Sequence, residues 1–109
     1  MFIKSIALAA ALAAAGSAAS AYNYFEFGET LSSSSVLDLG LVRAESDGVV
    51  EIYDDVRGEK GALLGSYSVR GGANSDVRVN IGKRPQQDVI AVLKVDGKIV
   101  AQKDFDIVR

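Results

Sequence analysis

Three groups of side chains in this chain have types and spacings that could do chemistry. All three rest on carboxylates or hydroxyls, because the sequence holds no histidine and no cysteine. The densest group is Asp54-Asp55-Val56-Arg57-Gly58-Glu59. A calcium ion takes several oxygen ligands that converge on one point. The spacing departs from that of an EF-hand loop, and Arg57 and Lys60 compete for the same carboxylates, so a solvated hairpin loop is the favoured reading. The second group is Asp104 and Asp106, two residues apart and therefore on one face of a strand. Two carboxylates can share acid and base roles in glycoside cleavage. With no insertion or second domain to build a cleft around them, they read more simply as the polar side of a half-buried strand. The third group is Ser32 to Ser35, whose hydroxyls would need an adjacent base to become nucleophiles. No Ser-x-x-Lys pattern occurs there, and the run reads as a flexible connection.

The missing residue types exclude further mechanisms. A Cys nucleophile, a Ser-His-Asp triad, a zinc site built on His or Cys, and covalent haem are all ruled out. Gly71-Gly72 is not followed by a helix pattern and does not make a phosphate-binding loop of the G-x-G-x-x-G kind. No catalytic residue, cofactor or metal is expected, and the chain reads as a non-enzyme.

The segment in front of these groups differs in kind. Met1 to Ser5 carries one positive charge, Lys4. Ile6 to Ala15 contains only Ile, Leu and Ala, and Gly16 to Ala21 is built of small residues. This is the order of a secretory signal peptide, helical in its apolar part, with Ala19-Ser20-Ala21 as the A-x-A cleavage site and Tyr22 as the new N-terminus. The apolar run is about half of the roughly 20 residues that a membrane span requires. No Cys follows it to accept a lipid anchor, and no second long apolar run occurs. The expected location is exported, periplasmic or secreted, with no span in the mature chain.

Beyond Ala21, eleven basic residues face 14 acidic ones. A mildly acidic chain without a basic run is a poor match for nucleic acid, where phosphate neutralisation needs clustered Lys and Arg. Val and Ile greatly outnumber Ala in this part, which favours strands. The absence of cysteine means that a small exported domain must hold together by packing alone.

The elements follow from alternation. Tyr22 to Phe27 holds half of the eight aromatics and reads as an edge strand that staples onto the domain. The alternative is donation of that strand to a partner or to a second copy of the chain, with the serine run as hinge. Val36 to Arg43 places Leu37, Leu39 and Leu41 on one face, with Gly40 marking a bulge or close contact. Val49 to Tyr53 turns Val50 and Ile52 inward. Asp54 to Gly61 reads as a charged loop, Leu63 to Val69 as a strand and Arg70 to Asn74 as a turn. Val77, Val79 and Ile81 share an inward face. Val89 to Val95 is rich in β-branched residues and reads as a strand rather than a helix. Asp96-Gly97 is a two-residue hairpin turn. Ile99 to Ile107 follows, with Ile99, Ala101, Phe105 and Ile107 on one face. The expected fold is all-β: an antiparallel, immunoglobulin-like β-sandwich of six or seven strands. Its expected organisation is a signal peptide over 1–21, an aromatic segment and Ser-rich linker over 22–35, and the sandwich over 36–109.

Several stretches carry a resemblance. They are Asp47-Gly48-Val49-Val50-Glu51-Ile52-Tyr53-Asp54, then Leu64-Gly65-Ser66, then Gly72-Ala73-Asn74-Ser75-Asp76-Val77-Arg78-Val79, and Ile90-Ala91-Val92-Leu93 with Asp96-Gly97. Together, over Val36 to Val108, they resemble a family of small exported prokaryotic β-sandwich domains with no assigned activity. The resemblance implies export and a sandwich. It brings no substrate or catalytic residue. The residues and the resemblance together point to a binding or structural module. Alternatives are an inhibitor or accessory subunit that docks on another exported protein through Asp54–Gly61 and Arg70–Asn74, and a carboxylate hydrolase using Asp104 and Asp106.

Overall fold

The structure, a computed structural model, describes residues 23–26 and 28–108. The signal segment and its cleavage positions Ala19, Ala21 and Tyr22 lie outside the described residues. Runs dense in β-branched residues form strands, as their stiff side chains favour. These are β1 (Tyr24–Phe25), β2 (Thr30–Ser32), β3 (Val36–Ala44), β4 (Gly48–Val56), β5 (Glu59–Val69), β6 (Gly72–Asn80), β7 (Val89–Val95) and β8 (Lys98–Val108). They make a three-stranded sheet in the order β1-β3-β6 and a five-stranded sheet in the order β2-β8-β7-β4-β5. The arrangement is all-β and resembles a sandwich, with no helix among the described residues.

Two features depart from the expected fold. There are eight strands rather than six or seven, and one pairing, β2 with β8, is parallel. Both departures come from the serine run. Leu31 is buried, and its neighbours Thr30 and Ser32 complete a strand in register with Asp106 to Val108. Serines 33–35 are tied down as well. The Ser33 amide donates to the Val108 carbonyl at 3.0 Å, and the Ser35 carbonyl accepts from the Ile81 amide at 2.8 Å.

The core lies between the sheets. Leu37, Leu39, Val42, Val77 and Val79 come from one layer, and Val50, Ile52, Val89, Ala91, Leu93 and Phe105 from the other. The alternation does not run unbroken through it. In β3, Leu37 and Leu39 are buried, but the next buried residues are Val42 and Ala44, while Leu41 is only half-buried. Gly40 has φ +71, and the register with β6 shifts on either side of it. A bulge moves every later side chain to the opposite face, so Val42 takes the place expected for Leu41. The partner strand carries a compensating irregularity at Asp76, φ +56, and the register beyond the pair of bulges is the same as before it. Bulges in both strands bend the sheet; β3 stays apolar on its inner face, while β6 beyond Asp76 turns Gly72 and Asn74 partly inward. A shift in β8 opposite Leu93/Lys94 likewise separates Ala101 from Ile99. Ile99 is therefore 45% exposed rather than part of the inward face.

Two hairpins follow from turn chemistry. Asp96 and Gly97 have φ +54 and +76, the signs that a two-residue primed turn requires. Arg57 and Gly58 repeat them with +56 and +88. The stretch expected as a loop over Asp54–Gly61 is thus strand almost throughout, with only two residues turning. The Arg70–Asn74 turn contracts too, since β6 already begins at Gly72. Asn74 closes it by accepting from the Arg70 amide and donating to the Arg70 carbonyl.

The expected N-terminal edge strand is present as β1, paired antiparallel with β3 of its own chain. Asn23 is buried. Its side chain accepts from the Glu45 amide at 2.8 Å and donates to the Glu45 carboxylate at 3.1 Å. Phe25 meets Phe105 edge to face, with ring centroids 6.2 Å apart.

At Gly65 the middle of β5 crosses the end of β6 so closely that an added Cβ would lie 2.5 Å from the Asn80 carbonyl oxygen. Because that obstacle is backbone, Gly65→Ala must push the layers apart locally. We expect a loss of about 1–3 kcal/mol, read as a lowered urea midpoint. An unchanged midpoint would show that the contact is not tight.

Candidate functional site

The carboxylates singled out by sequence do not converge. Asp54 and Asp55 are consecutive strand residues and point to opposite faces. Asp54 follows Val50 and Ile52 on the inward side of β4, opposite Val89. Asp55 accepts from the Gly58 amide at 2.7 Å and so serves the turn. Among the described residues no group of three or more Asp, Glu, His or Cys is placed to hold a metal ion. The calcium-loop geometry is therefore replaced by a tight hairpin. Asp104 and Asp106 are exposed on β8, beside Glu29, Gln102 and Lys103 around a shallow, open depression. Of the serines, Ser34 accepts from the Val36 amide at 3.2 Å. The two loops considered for docking, around Arg57-Gly58 and Arg70-Gly71, lie at opposite ends of the β4–β5 hairpin and cannot form one surface together.

Two polar features were not anticipated from sequence. One is a cluster on the outer face of the five-stranded sheet. The Tyr53 hydroxyl donates to Glu51 Oε1 at 2.6 Å, and Lys94 Nζ lies 3.0 Å from the same oxygen. Lys60 Nζ sits 5.3 Å above the Tyr53 ring centre. Ile90 and Val92 are directly opposite Tyr53 and Glu51, and both are fully buried although they face away from the inter-sheet core. Long polar side chains can cover apolar surface in this way. The hydrogen bond from Tyr53, followed by that from Lys94, lowers the Glu51 pKa. The hydrogen bond to Glu51 raises the Tyr53 pKa and likewise that of Lys94. Each group is thereby held in its resting charge state: an ionised acid, a neutral phenol and a charged ammonium. A general acid, a nucleophilic phenolate or a nucleophilic amine would each need the opposite shift. Only the strand register reveals this cluster, because Glu51 and Lys94 are diagonal neighbours across two strands.

The second feature is a cleft where the two layers part at the Asp54 end. It has a volume of about 320 Å³ and is lined by Asp54, Ala62, Leu64, Ile81, Pro85 and the residues beside that proline. Leu64 and Ile81 are the outer fringe of the core. The connection between β6 and β7 forms its lip and is fixed at both ends. The Ile81 amide donates to Ser35, and the Asp88 carbonyl accepts from the Asp55 amide at 2.9 Å. The Asp88 carboxylate also accepts from the Ile107 amide at 2.9 Å. Lys83 and Arg84 stand on this lip, and neither they nor Asp54 forms an ion pair with another described residue. The sequence signal for the cleft was the inward series Val50, Ile52, Asp54, in which a carboxylate takes a position that continues the core.

No protein-family model matches the chain, and comparison with curated proteins and with solved structures yields no match. Among the described residues no helix is long and apolar enough to cross a membrane.

The outer-face cluster makes stability depend on pH in a signed way. Glu51 is lowered from its ordinary 4.5. Its contribution is therefore present above that value and is lost as pH falls through the lower, folded-state pKa. Tyr53 and Lys94 are raised from 10.0 and 10.5, so their contributions are present below those values and fade as pH rises past them. In urea unfolding, Glu51→Gln should lower the midpoint at about pH 7 and shrink the further drop seen at about pH 3. An equal acid drop in both proteins would contradict this.

Proposed function

We propose that the chain is an exported, immunoglobulin-like β-sandwich module that binds a partner or ligand rather than transforming one. The strand order supports the topology. An N-terminal strand is split so that β1 joins the β3-β6 layer while β2 runs parallel along β8 of the other layer. Two sheets packed over a core of alternating inward residues, with connections that pass from one sheet to the other, are the architecture of immunoglobulin-like sandwiches. The resemblance to small exported prokaryotic sandwich domains agrees with this arrangement.

The observation that carries the binding role is the cleft at the Asp54 end. It offers an apolar lining and acidic and basic side chains that form no ion pair with another described residue, and its lining contains no nucleophile with a base beside it. The export reading draws support from the position of Asn23. It is buried and hydrogen-bonded to Glu45 only two residues beyond the cut expected after Ala21, so cleavage there would leave the ordered domain whole.

Expression of the full chain in a bacterial host, followed by N-terminal sequencing of the exported fraction, tests the location. The expected first residue is Tyr22. Recovery of chain still beginning at Met1 from the cytosol would contradict export.

A further inference from the structure

We propose that the cleft at the Asp54 end of the sandwich binds a small apolar zwitterion, an α-amino acid or dipeptide with branched aliphatic side chains. This deepens the reading of the chain as a binding module and rests on it.

The first observation is the position of Asp54. It occupies the third inward place on β4 after Val50 and Ile52, both completely buried. Asp54 itself is half-buried and lines the cleft, where its carboxylate can accept from a cationic group. The chain supplies no ion pair for it among the described residues. The second observation is that Lys83 and Arg84, consecutive and exposed on the β6–β7 connection, line the same cleft and are equally without an ion pair among the described residues. The apolar part of the lining is Ala62, Leu64, Ile81 and Pro85.

These groups select by charge. A purely anionic ligand would meet Asp54, and a purely cationic one would meet Lys83 and Arg84. Like charges brought together repel, which weakens binding of a ligand carrying only one sign. A molecule with an ammonium group at one end and a carboxylate at the other satisfies both sides. The ammonium would donate to Asp54. The carboxylate would lie against Lys83 and the fork of Arg84, whose geometry suits two-point recognition of carboxylates. The aliphatic side chains would cover Leu64 and Ile81, which are now only partly buried. Size limits the ligand as well: about 320 Å³ is near the lower end of ligand pockets, roughly 300–1,000 Å³. A long peptide, moreover, cannot place both of its charged termini in one short cleft.

The test is a ¹H–¹⁵N chemical-shift titration of the exported protein. The probes are L-leucine, Leu-Leu, N-acetyl-Leu-Leu, which lacks the ammonium group, and Leu-Leu amide, which lacks the carboxylate. We expect saturable shifts at Asp54, Ala62 to Leu64 and Ile81 to Gln87 with leucine, Leu-Leu or both, and the tighter of the two identifies the source. N-acetylation should weaken binding about tenfold in the wild type, since a hydrogen bond to a charged group contributes about 1.5–3 kcal/mol. It should have little further effect in Asp54→Asn, because the two changes remove the same contact. Arg84→Gln should abolish the preference for Leu-Leu over its amide in the same way. The backbone spectrum of each variant reports whether it remains folded, and Lys83→Gln, on the exposed lip, serves as a second probe of the carboxylate end.

No saturable shift at the cleft with any probe up to about 10 mM would overturn the site, as would equal binding of Leu-Leu and its acetylated form. Saturable shifts mapping elsewhere would overturn this site while sparing the binding role. Release of leucine from Leu-Leu, seen in the ligand's own resonances and lost in Asp54→Asn, would overturn the non-enzymatic reading and with it a site of binding alone.

Discussion

The two layers of this domain are joined without a disulfide, and the N-terminal segment pairs with both of them. Within ten residues the chain pairs first with β3 on one sheet and then with β8 on the other. Phe25 crosses the interface to meet Phe105 edge to face, a geometry that aromatic quadrupoles favour beyond simple burial. Leu31 is buried from the opposite side of the same strap. In a small domain with no cysteine, such packing takes over part of the role that cross-links serve elsewhere. It also manages sheet edges. The very short β1 and β2 cover part of the outer margins of β3 and β8, where unpaired backbone groups would otherwise invite other strands.

Curvature follows from the same economy of elements. The opposed irregularities at Gly40 and Asp76 bend the smaller sheet and reverse its side-chain phase in both strands at once. β3 keeps an apolar inner face throughout, whereas β6 beyond Asp76 turns only Gly72 and Asn74 partly inward. At the Asp54 end the layers separate, and the inward series of β4 finishes in a carboxylate. The cleft is thus a consequence of how the sandwich ends, held open by a lip whose two ends are hydrogen-bonded to neighbouring strands.

Local signals were legible wherever strict alternation or a strong turn pair stood alone. Val50 with Ile52, Val77 with Val79, and the Asp96-Gly97 hairpin all lie where period and turn chemistry place them. Single-residue bulges defeated the same reasoning at Leu41 and Ile99, because a phase change leaves almost no trace in composition. The Arg57-Gly58 turn was hidden among charges that resemble a loop, although its glycine supplies the positive φ that the second position needs. The start of the serine run carried no strand signal, and Thr30–Ser32 is a strand because Leu31 is buried and β8 offers an open edge. The Glu51, Tyr53 and Lys94 cluster depends on register between distant strands, which no local window contains. Asp54 was noticed as one charge among several. Its inward orientation is what sets it apart, and that became visible only once the turn had shrunk to two residues.

The role of the strap is the claim on which the account most depends, and it can be measured by comparing chains that begin at Tyr22 and at Gly28 in equilibrium urea unfolding. The shorter chain keeps β2 but loses β1, the Asn23 contacts with Glu45 and the Phe25 ring. Removal of a buried phenylalanine alone costs about 3–5 kcal/mol, so the shorter chain should unfold at a clearly lower urea concentration. Coincident unfolding curves for the two chains would contradict the account, since they would mean that the layers hold together without the strap.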